Sequence, residues 1–303
     1  MAPRKPGEPE PELEPPAEDA PKPAANACMD YYPPYIESYN LRPKLTTVYN
    51  TVEELMAPKP KRPPPPSPSP TAAIARRWGG ISRDGLGAYL QHPETFPSTR
   101  VIYYTDDFVA VHDLYPKASV HTLLLPRKAT FSDQHPFDAF LDPAFLAAVK
   151  VEAAKLKGFV AKELQRRFGA ESAAEARRQA VLDGEVELEG DGEELPPGRD
   201  WDAEVKVGIH AHPSMNHLHV HVLSRDMFSP CLKHRRHYNS FNTPFFVELA
   251  DFPLADDDPR LHPGREQYLR RDMVCWRCGR NFKNHFKSLR EHLETEFEEW
   301  KRE

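Results

Sequence analysis

Between residues 217 and 222 the chain alternates histidine with aliphatic side chains without a break: His217, His219 and His221 interleave with Leu218, Val220 and Val222. Alternation with a period of two is the pattern of a strand, because successive side chains of an extended backbone leave on opposite faces. The sequence therefore predicts a strand over 217–223 that sends aliphatic groups to a core and three imidazoles to its other side. At about 3.3 Å of rise per residue, neighbouring imidazoles lie roughly 6.6 Å apart. One phosphate group can meet more than one of them. The same arrangement is also a zinc-ligand set. A chance gathering of surface histidines is the third reading, and the strict aliphatic backing speaks against it.

The rest of the chain supplies a frame for that strand. Apolar runs at Val101–Tyr104 and 108–111 flank Thr105, Asp106 and Asp107, a hairpin pattern, and a third run over 120–125 closes at Pro126. Residues 85–91 read as a short helix that stops before Pro93. From Asp142 to residue 168 the apolar residues Phe145, Leu146, Val149, Leu156, Val160 and Leu164 recur at helical spacing, with Asp142 as cap and Pro143 at the first position. Another strand is expected near residues 205–210. Strands, one long helix and further strands predict an α+β domain on an antiparallel sheet with flanking helices.

Composition sets the limits of this domain. The chain holds 33 prolines, many of them before residue 71, and residues 1–77 read as a disordered proline-rich tail that buries no core. Within it, the Tyr31 to Tyr35 segment reads first as disordered chain and second as a docking peptide, and Lys59 to Arg62 as a nuclear-import signal or one of the short basic runs that are common in any chain. The folded part is expected over 78–250, interrupted by an exposed, peripheral insertion at 169–204 that is rich in Ala, Glu and Gly. A separate module is expected over 251–303. No stretch reaches the roughly 18 apolar residues of a membrane span, and residues 1–20 lack a secretory signal's apolar core. A net charge of -6 means that any nucleic-acid-binding surface must be local.

The C-terminal module carries a second chemistry. Cys275-Trp-Arg-Cys278 is followed by His292 and Glu296. A C-x-x-C knuckle with a downstream histidine is a zinc pattern, and zinc accepts a carboxylate oxygen as its last ligand. On a helix, His292 and Glu296 stand four residues apart and share a face. His285 is the rival fourth ligand, and Glu296 also reads as one charge in the acidic run 294–299. Basic residues crowd this region, among them Arg265, Arg270, Arg271, Arg277, Arg280 and Lys283. They suit a phosphate backbone, or are simply solvated.

The alternating segment resembles the signature of the histidine-triad superfamily of nucleotidyl hydrolases and transferases, and residues 113–126 resemble another segment of that fold. Tyr115-Pro-Lys-Ala118, Pro213-Ser-Met215, Ser229-Pro-Cys-Leu-Lys233 and His237-Tyr-Asn-Ser-Phe-Asn242 are similar to the aprataxin branch. The resemblance covers residues 81–303 apart from the insertion. It implies a histidine-triad fold with a zinc finger whose ligands are two cysteines, a histidine and a glutamate, and it favours Glu296 as the last ligand. It implies hydrolysis of AMP from adenylated DNA 5′ ends through a covalent adenylyl-histidine, with structural zinc in the finger and no catalytic metal.

By the same resemblance His219 is the nucleophile. Lys117, Ser214, His221 and Lys233 would stabilise phosphate charge, and His237 would protonate the leaving phosphate. His217 and His121 would orient rings or phosphates, Asp113 would hold the ribose hydroxyls, and Ile102 and Tyr103 would lie beside the adenine. Asp113 also reads as a turn residue before Pro116. The resemblance implies a nuclear monomer that acts on nicked or broken double-stranded DNA, including 5′-adenylated RNA–DNA junctions. The aromatic wedge of related enzymes falls on Ser82, with Trp78 one turn upstream. A forkhead-associated module is not visible in the sequence. The competing readings are a general dinucleoside polyphosphate or phosphoramidate hydrolase, and a non-catalytic zinc-dependent nucleic-acid-binding protein.

Overall fold

The computed structural model describes residues 83–187 and 194–303. Six strands form one antiparallel sheet: β1 (Val101–Tyr104), β2 (Phe108–His112), β3 (His121–Pro126), β4 (Val205–His210), β5 (Val220–Ser224) and β6 (Phe246–Glu248), in the order β1-β2-β3-β5-β4-β6. The helices are α1 (Gly87–Gln91), α2 (Ala129–Ser132), α3 (Pro136–Ala139), α4 (Pro143–Phe168), α5 (Ala173–Leu182), α6 (Arg235–Asn242), α7 (Pro263–Glu266) and α8 (Phe286–Trp300). The Asp142 carboxylate caps α4 by accepting from the Ala144 and Phe145 N–H groups, which satisfies two of the donors a helix start leaves open.

Leu156, Leu164 and Val149 of α4 pack against Leu218, Val220 and Val222, as the alternation predicts. The ladder of β5, however, starts only at Val220. Ahead of it the backbone serves other partners: Leu218 N–H donates to Ser132 O, and the His217 carbonyl is taken by the His219 ring. The other face of the sheet is not left to solvent. Leu223, Met227, Tyr238, Phe241 and Phe246 form a second cluster with Met273, Cys275, Leu289 and Leu293. The C-terminal module is therefore built onto the sheet rather than tethered beside it. The buried Tyr238 hydroxyl donates to Val274 O and accepts from Trp276 N–H, which fixes the C-x-x-C loop to α6.

The insertion departs at its ends from the exposed, peripheral segment with a helical piece expected over 169–204. Its described middle is exposed, and α5 buries none of its residues. Its ends, in contrast, lie inside. Ser172 is fully buried and donates to Glu303 O at 2.9 Å. Trp201 is 5% exposed. The Arg199 guanidinium lies over the rings of Trp201 and Trp300 at 4.5 and 4.6 Å, and the Trp300 Nε1–H donates to Glu204 at 2.6 Å. Polar composition concealed these anchors because one arginine and two tryptophans do the packing. Replacing Trp201 with alanine should lower the unfolding free energy by about 3–5 kcal/mol, and Leu182→Ala on α5 by less than about 0.5 kcal/mol. Chemical denaturation of the zinc-loaded protein distinguishes this from a peripheral insertion, for which both changes would be small.

Candidate active site and zinc centre

The histidines gather on the face of the sheet opposite α4, and their hydrogen bonds fix where the protons sit. His219 is buried, and its Nδ1 lies 2.8 Å from the His217 backbone carbonyl. A carbonyl only accepts, so Nδ1 carries the proton and the neutral ring presents a lone pair at Nε2. Burial lowers the His219 pKa, opposed by that hydrogen bond and by Asp113. The ring is neutral near pH 7.

A second chain of bonds sets the neighbours. Lys117 N–H donates to His121 Nδ1 at 3.1 Å, so the His121 proton is on Nε2, which lies 3.0 Å from His221 Nδ1. His221 must accept there and keep its own proton on Nε2. Burial brings His121 down to about 4, against the pull of Asp113, and pushes His221 well below its ordinary value. His221 Nε2 is shut off from solvent without a partner, and so is His210 Nε2 from β4. An unpaired buried polar group costs about 1–3 kcal/mol. The two rings lie 4.4 Å apart, and buried polar groups of this kind are met by a polar ligand or by ordered water. Phe241 of α6 walls the group, its ring within 5.4 Å of His121, His210 and His221.

Charged groups border this neutral core. Asp113 accepts from Tyr115 N–H through Oδ1 at 2.7 Å, while Oδ2 lies 3.5 Å from His121 Nε2. It is both the turn residue and a site residue. Burial alone would raise its carboxyl, but His121, Lys117 and the Tyr115 N–H outweigh burial and hold it low. Lys117 donates its ammonium to Tyr115 O, and burial lowers its pKa against the attraction of Asp113. Asp113, His121 and His221 could also collect a metal, their donor atoms lying within 4.8 Å of one another. A cation there would have to displace the proton that His121 shares with His221.

In the C-terminal module one donor atom from each of Cys275, Cys278, His292 and Glu296 lies within 4.8 Å of the rest. Cys278 Sγ and Glu296 Oε1 are each 3.1 Å from His292 Nε2. Zinc bonds of about 2.0–2.3 Å at tetrahedral angles place ligand atoms roughly 3.3–3.8 Å apart, so two thiolates, an imidazole and a carboxylate fit this ion. His285 instead stands exposed at the start of α8 and is outside the group.

Both halves match known families. The HIT domain family matches residues 96–228, and the C2HE / C2H2 / C2HC zinc-binding finger matches residues 242–299. The aprataxin-like protein of Schizosaccharomyces pombe is 33% identical over 220 residues, covering 72% of this chain and 82% of the relative. That of Saccharomyces cerevisiae is 34% identical, covering 71% and 95%. The chain belongs to the aprataxin branch of the histidine-triad superfamily. The crystal structure of the aprataxin ortholog Hnt3 in complex with DNA has a TM-score of 0.56 at 31% identity, covering 72% of this chain and 96% of that one. Hnt3 in complex with DNA and guanosine gives 0.55 at 32% identity.

The remaining expected residues of this aprataxin-branch site divide. His237, at the start of α6, accepts from Lys233 N–H at Nδ1 and so holds its proton on Nε2; burial, then Lys117 and His234, bring it to about 4. Lys233 is exposed on the same turn. His217 bonds Asp133 at 3.1 Å, and α1 passes so close that a Cβ on Gly87 would lie 2.7 Å from its Nε2. It orients His219 through its backbone carbonyl rather than its ring. Ser214 is exposed in the β4–β5 connection.

Ile102 and Tyr103 are not brought to the histidines. A register shift between Val101 and Tyr103 turns them to the α4 side, where Tyr103 meets Phe159 and Lys155; Val101 takes the histidine side, with Val109 and Leu123. A bulge is not readable from an apolar run. Ser82 and Trp78 lie outside the described residues. Sequence reasoning missed His210, whose placement depends on β4 lying beside β5. It also misplaced Arg277 among residues free for phosphate: the guanidinium is held by Glu296, Glu299 and Glu303 at 2.5–2.9 Å.

Two outcomes are expected. Arg277→Ala leaves the carboxylate of Glu296 unsupported and should speed zinc release to a chromogenic chelator by on the order of tenfold, whereas His285→Ala should leave release unchanged. In the pH dependence, His121 and His237 titrate near 4 in the folded protein and near 6.5 unfolded. The unfolded chain then binds more protons between those values, so stability falls as pH drops from about 6.5 to 4. His121→Gln and His237→Gln should each flatten that slope by up to about one proton, read from denaturation at a series of pH values.

Proposed function

We propose that this protein is a DNA repair hydrolase that removes AMP from 5′-adenylated DNA ends, the products of abortive ligation, and restores a 5′-phosphate. The observation that carries the reading is His219: a buried neutral imidazole with its proton tied to a backbone carbonyl and its lone pair free, in a chain that also carries a C2HE finger. The complexes of Hnt3 with DNA, and with DNA and guanosine, support a substrate that joins a nucleoside to a polynucleotide. A general dinucleotide hydrolase gives no reason for the fused finger.

In this mechanism His219 Nε2 attacks the phosphorus of the adenylate and the pyrophosphate P–O bond breaks toward the DNA 5′-phosphate. The adenylyl-histidine is then attacked by water, AMP leaves, and the ring regains its lone pair. The His221 Nε2–H, the His210 ring and the Lys117 ammonium receive charge on the non-bridging oxygens, with Ser214 and Lys233 at the rim. Asp113 takes the ribose hydroxyls. His237 presents Nε2–H to the leaving oxygen; it is neutral in the empty site and becomes an acid once the pyrophosphate raises its proton affinity. When bound, zinc holds the finger's fold and takes no part in these steps. Exposed arginines of the finger module other than Arg277, such as Arg265 and Arg280, hold the DNA backbone. The enzyme works as a monomer in the nucleus, and nicks and RNA–DNA junctions are its substrates.

AMP release from a nicked duplex with a 5′-adenylated strand tests the reading. Wild-type protein should prefer this duplex to a free dinucleoside polyphosphate, and His219→Ala should lose at least about a thousandfold in rate. Acid-labile label on the protein during turnover, absent in the variant, reports the covalent step. Equal or better turnover of the free dinucleotide would reduce the protein to a general nucleotide hydrolase; no turnover of either substrate would favour a binding protein.

A further inference from the structure

The histidine cluster has two flanks. On the β3 side stand Asp113 and His121. On the β4 side, His210 leads to Phe245, the two rings 5.4 Å apart. Beyond Phe245 lies an open recess of about 530 Å³, walled by Pro263, Gly264, Tyr268 and Leu269 and rimmed by His212, Gln267 and Arg270. Its lining is mainly apolar, and its aromatic walls, Phe245 and Tyr268, are largely buried, at 7% and 3% exposure, so they offer ring edges rather than open faces. The recess lies on the seam between the catalytic sheet and the finger module. It is held open from beneath: the buried Asn239 amide donates to Arg271 O at 2.7 Å and Leu269 O at 3.5 Å, and Ala211 N–H donates to Phe245 O at 2.8 Å.

We propose that this recess is a second nucleobase subsite, which takes a base unstacked from the DNA beside the adenylated phosphate. The inference rests on the function proposed above. The substrate carries a nucleoside on each side of its pyrophosphate, and the cluster that would hold the pyrophosphate has Asp113 on one flank and this recess on the other. A narrow apolar floor of Pro263, Leu269 and aromatic edges with a cationic rim suits the flat face of a base and its phosphate. The Arg270 guanidinium supplies the charge: it is exposed and has no ion-pair partner among the described residues. Arg271 beside it lies over the Tyr268 ring at 4.5 Å and so stiffens the floor. A subsite of this kind makes an end with a displaced base the preferred lesion.

Gly264 offers a clean test, because a Cβ there meets nothing within 4 Å. Gly264→Trp is placed to fill the recess without reaching the clustered His121, His210, His219 and His221; Gly264→Ala is its control. Full-length zinc-loaded protein is assayed on a nicked, 5′-adenylated duplex, intact or abasic at one of two nucleotides: the 5′-terminal one, or the 3′-terminal one across the nick. Melting temperature and zinc content report folding. Gly264→Trp and Arg270→Ala should each raise the half-saturating DNA concentration about tenfold, equivalent to about 1.4 kcal/mol of lost contact, and Gly264→Ala should not. One abasic duplex should reproduce that loss with wild-type protein and should show no further loss with Gly264→Trp, which identifies the base. Unchanged affinity in Gly264→Trp overturns the proposal. So does a loss that adds to both abasic losses, as it would if another partner or the chain's own tail filled the recess. If wild-type protein releases no AMP from any duplex, the enzymatic reading fails separately, and binding of the same duplexes without adenylate still decides the subsite.

Discussion

A buried imidazole can act as a nucleophile only if something else decides where its proton goes. Here that decision is made by main-chain groups. The His217 carbonyl takes the Nδ1 proton of His219, and the Lys117 N–H occupies Nδ1 of His121, which passes a donor to His221 and leaves a donor facing the ligand. Backbone groups cannot change protonation state, so the tautomers follow from the fold rather than from pH. The loop ahead of β5 and the turn ahead of β3 must then be rigid. Asp226 provides this for the β3 turn: although burial raises its pKa, it accepts from the Ser119 hydroxyl and N–H and the Phe228 N–H.

The same demand accounts for how the finger is joined to the sheet. A strand whose second face carried only histidines would leave that face wet and the rings mobile. Leu223, one position beyond His221 on the same face, continues instead into the finger's core, so the apolar layer that supports the zinc knuckle also closes the rear of the histidine pocket. Phe241 belongs to that layer and touches three of the rings. Metal binding and catalytic geometry thus share packing, and Arg277 extends the link by joining a zinc ligand to the end of α8, where Arg199 and Trp201 of the insertion meet Trp300.

How much of this was legible in the sequence follows from the range of each signal. The alternation in 217–223 reports the two faces correctly because burial on α4 selects every second residue. Cys275, Cys278 and His292 were readable from the C-x-x-C knuckle and downstream histidine. Spacing left Glu296 and His285 as rivals, and only the family resemblance favoured Glu296, which the structure brings to the group. What depended on contacts between distant segments was not readable: His210 joins the cluster only through the β4–β5 pairing, and Ile102 and Tyr103 turn away only because β1 shifts register against β2. The insertion misled for a related reason. Its composition is polar, but Arg199, Trp201 and Ser172 are enough to anchor it.

The electrostatic design of the pocket bears on what it can hold. Several buried cations would bind a pyrophosphate strongly, but each would carry its own desolvation cost in the empty enzyme and would hold product as firmly as the transition state. Neutral imidazoles avoid both problems. Their N–H groups cost far less to bury than charges do, and they favour the species in which charge on the non-bridging oxygens is greatest. One ammonium, Lys117, is then enough to set the sign of the field, and its lowered proton affinity reflects the burial of that charge. A pocket of this kind discriminates poorly between one phosphate anhydride and another. Under the proposed function, selection of the substrate falls to groups outside it, and the two candidates are the Asp113 flank and the seam with the finger, where a single ring, Phe245, separates His210 from the recess.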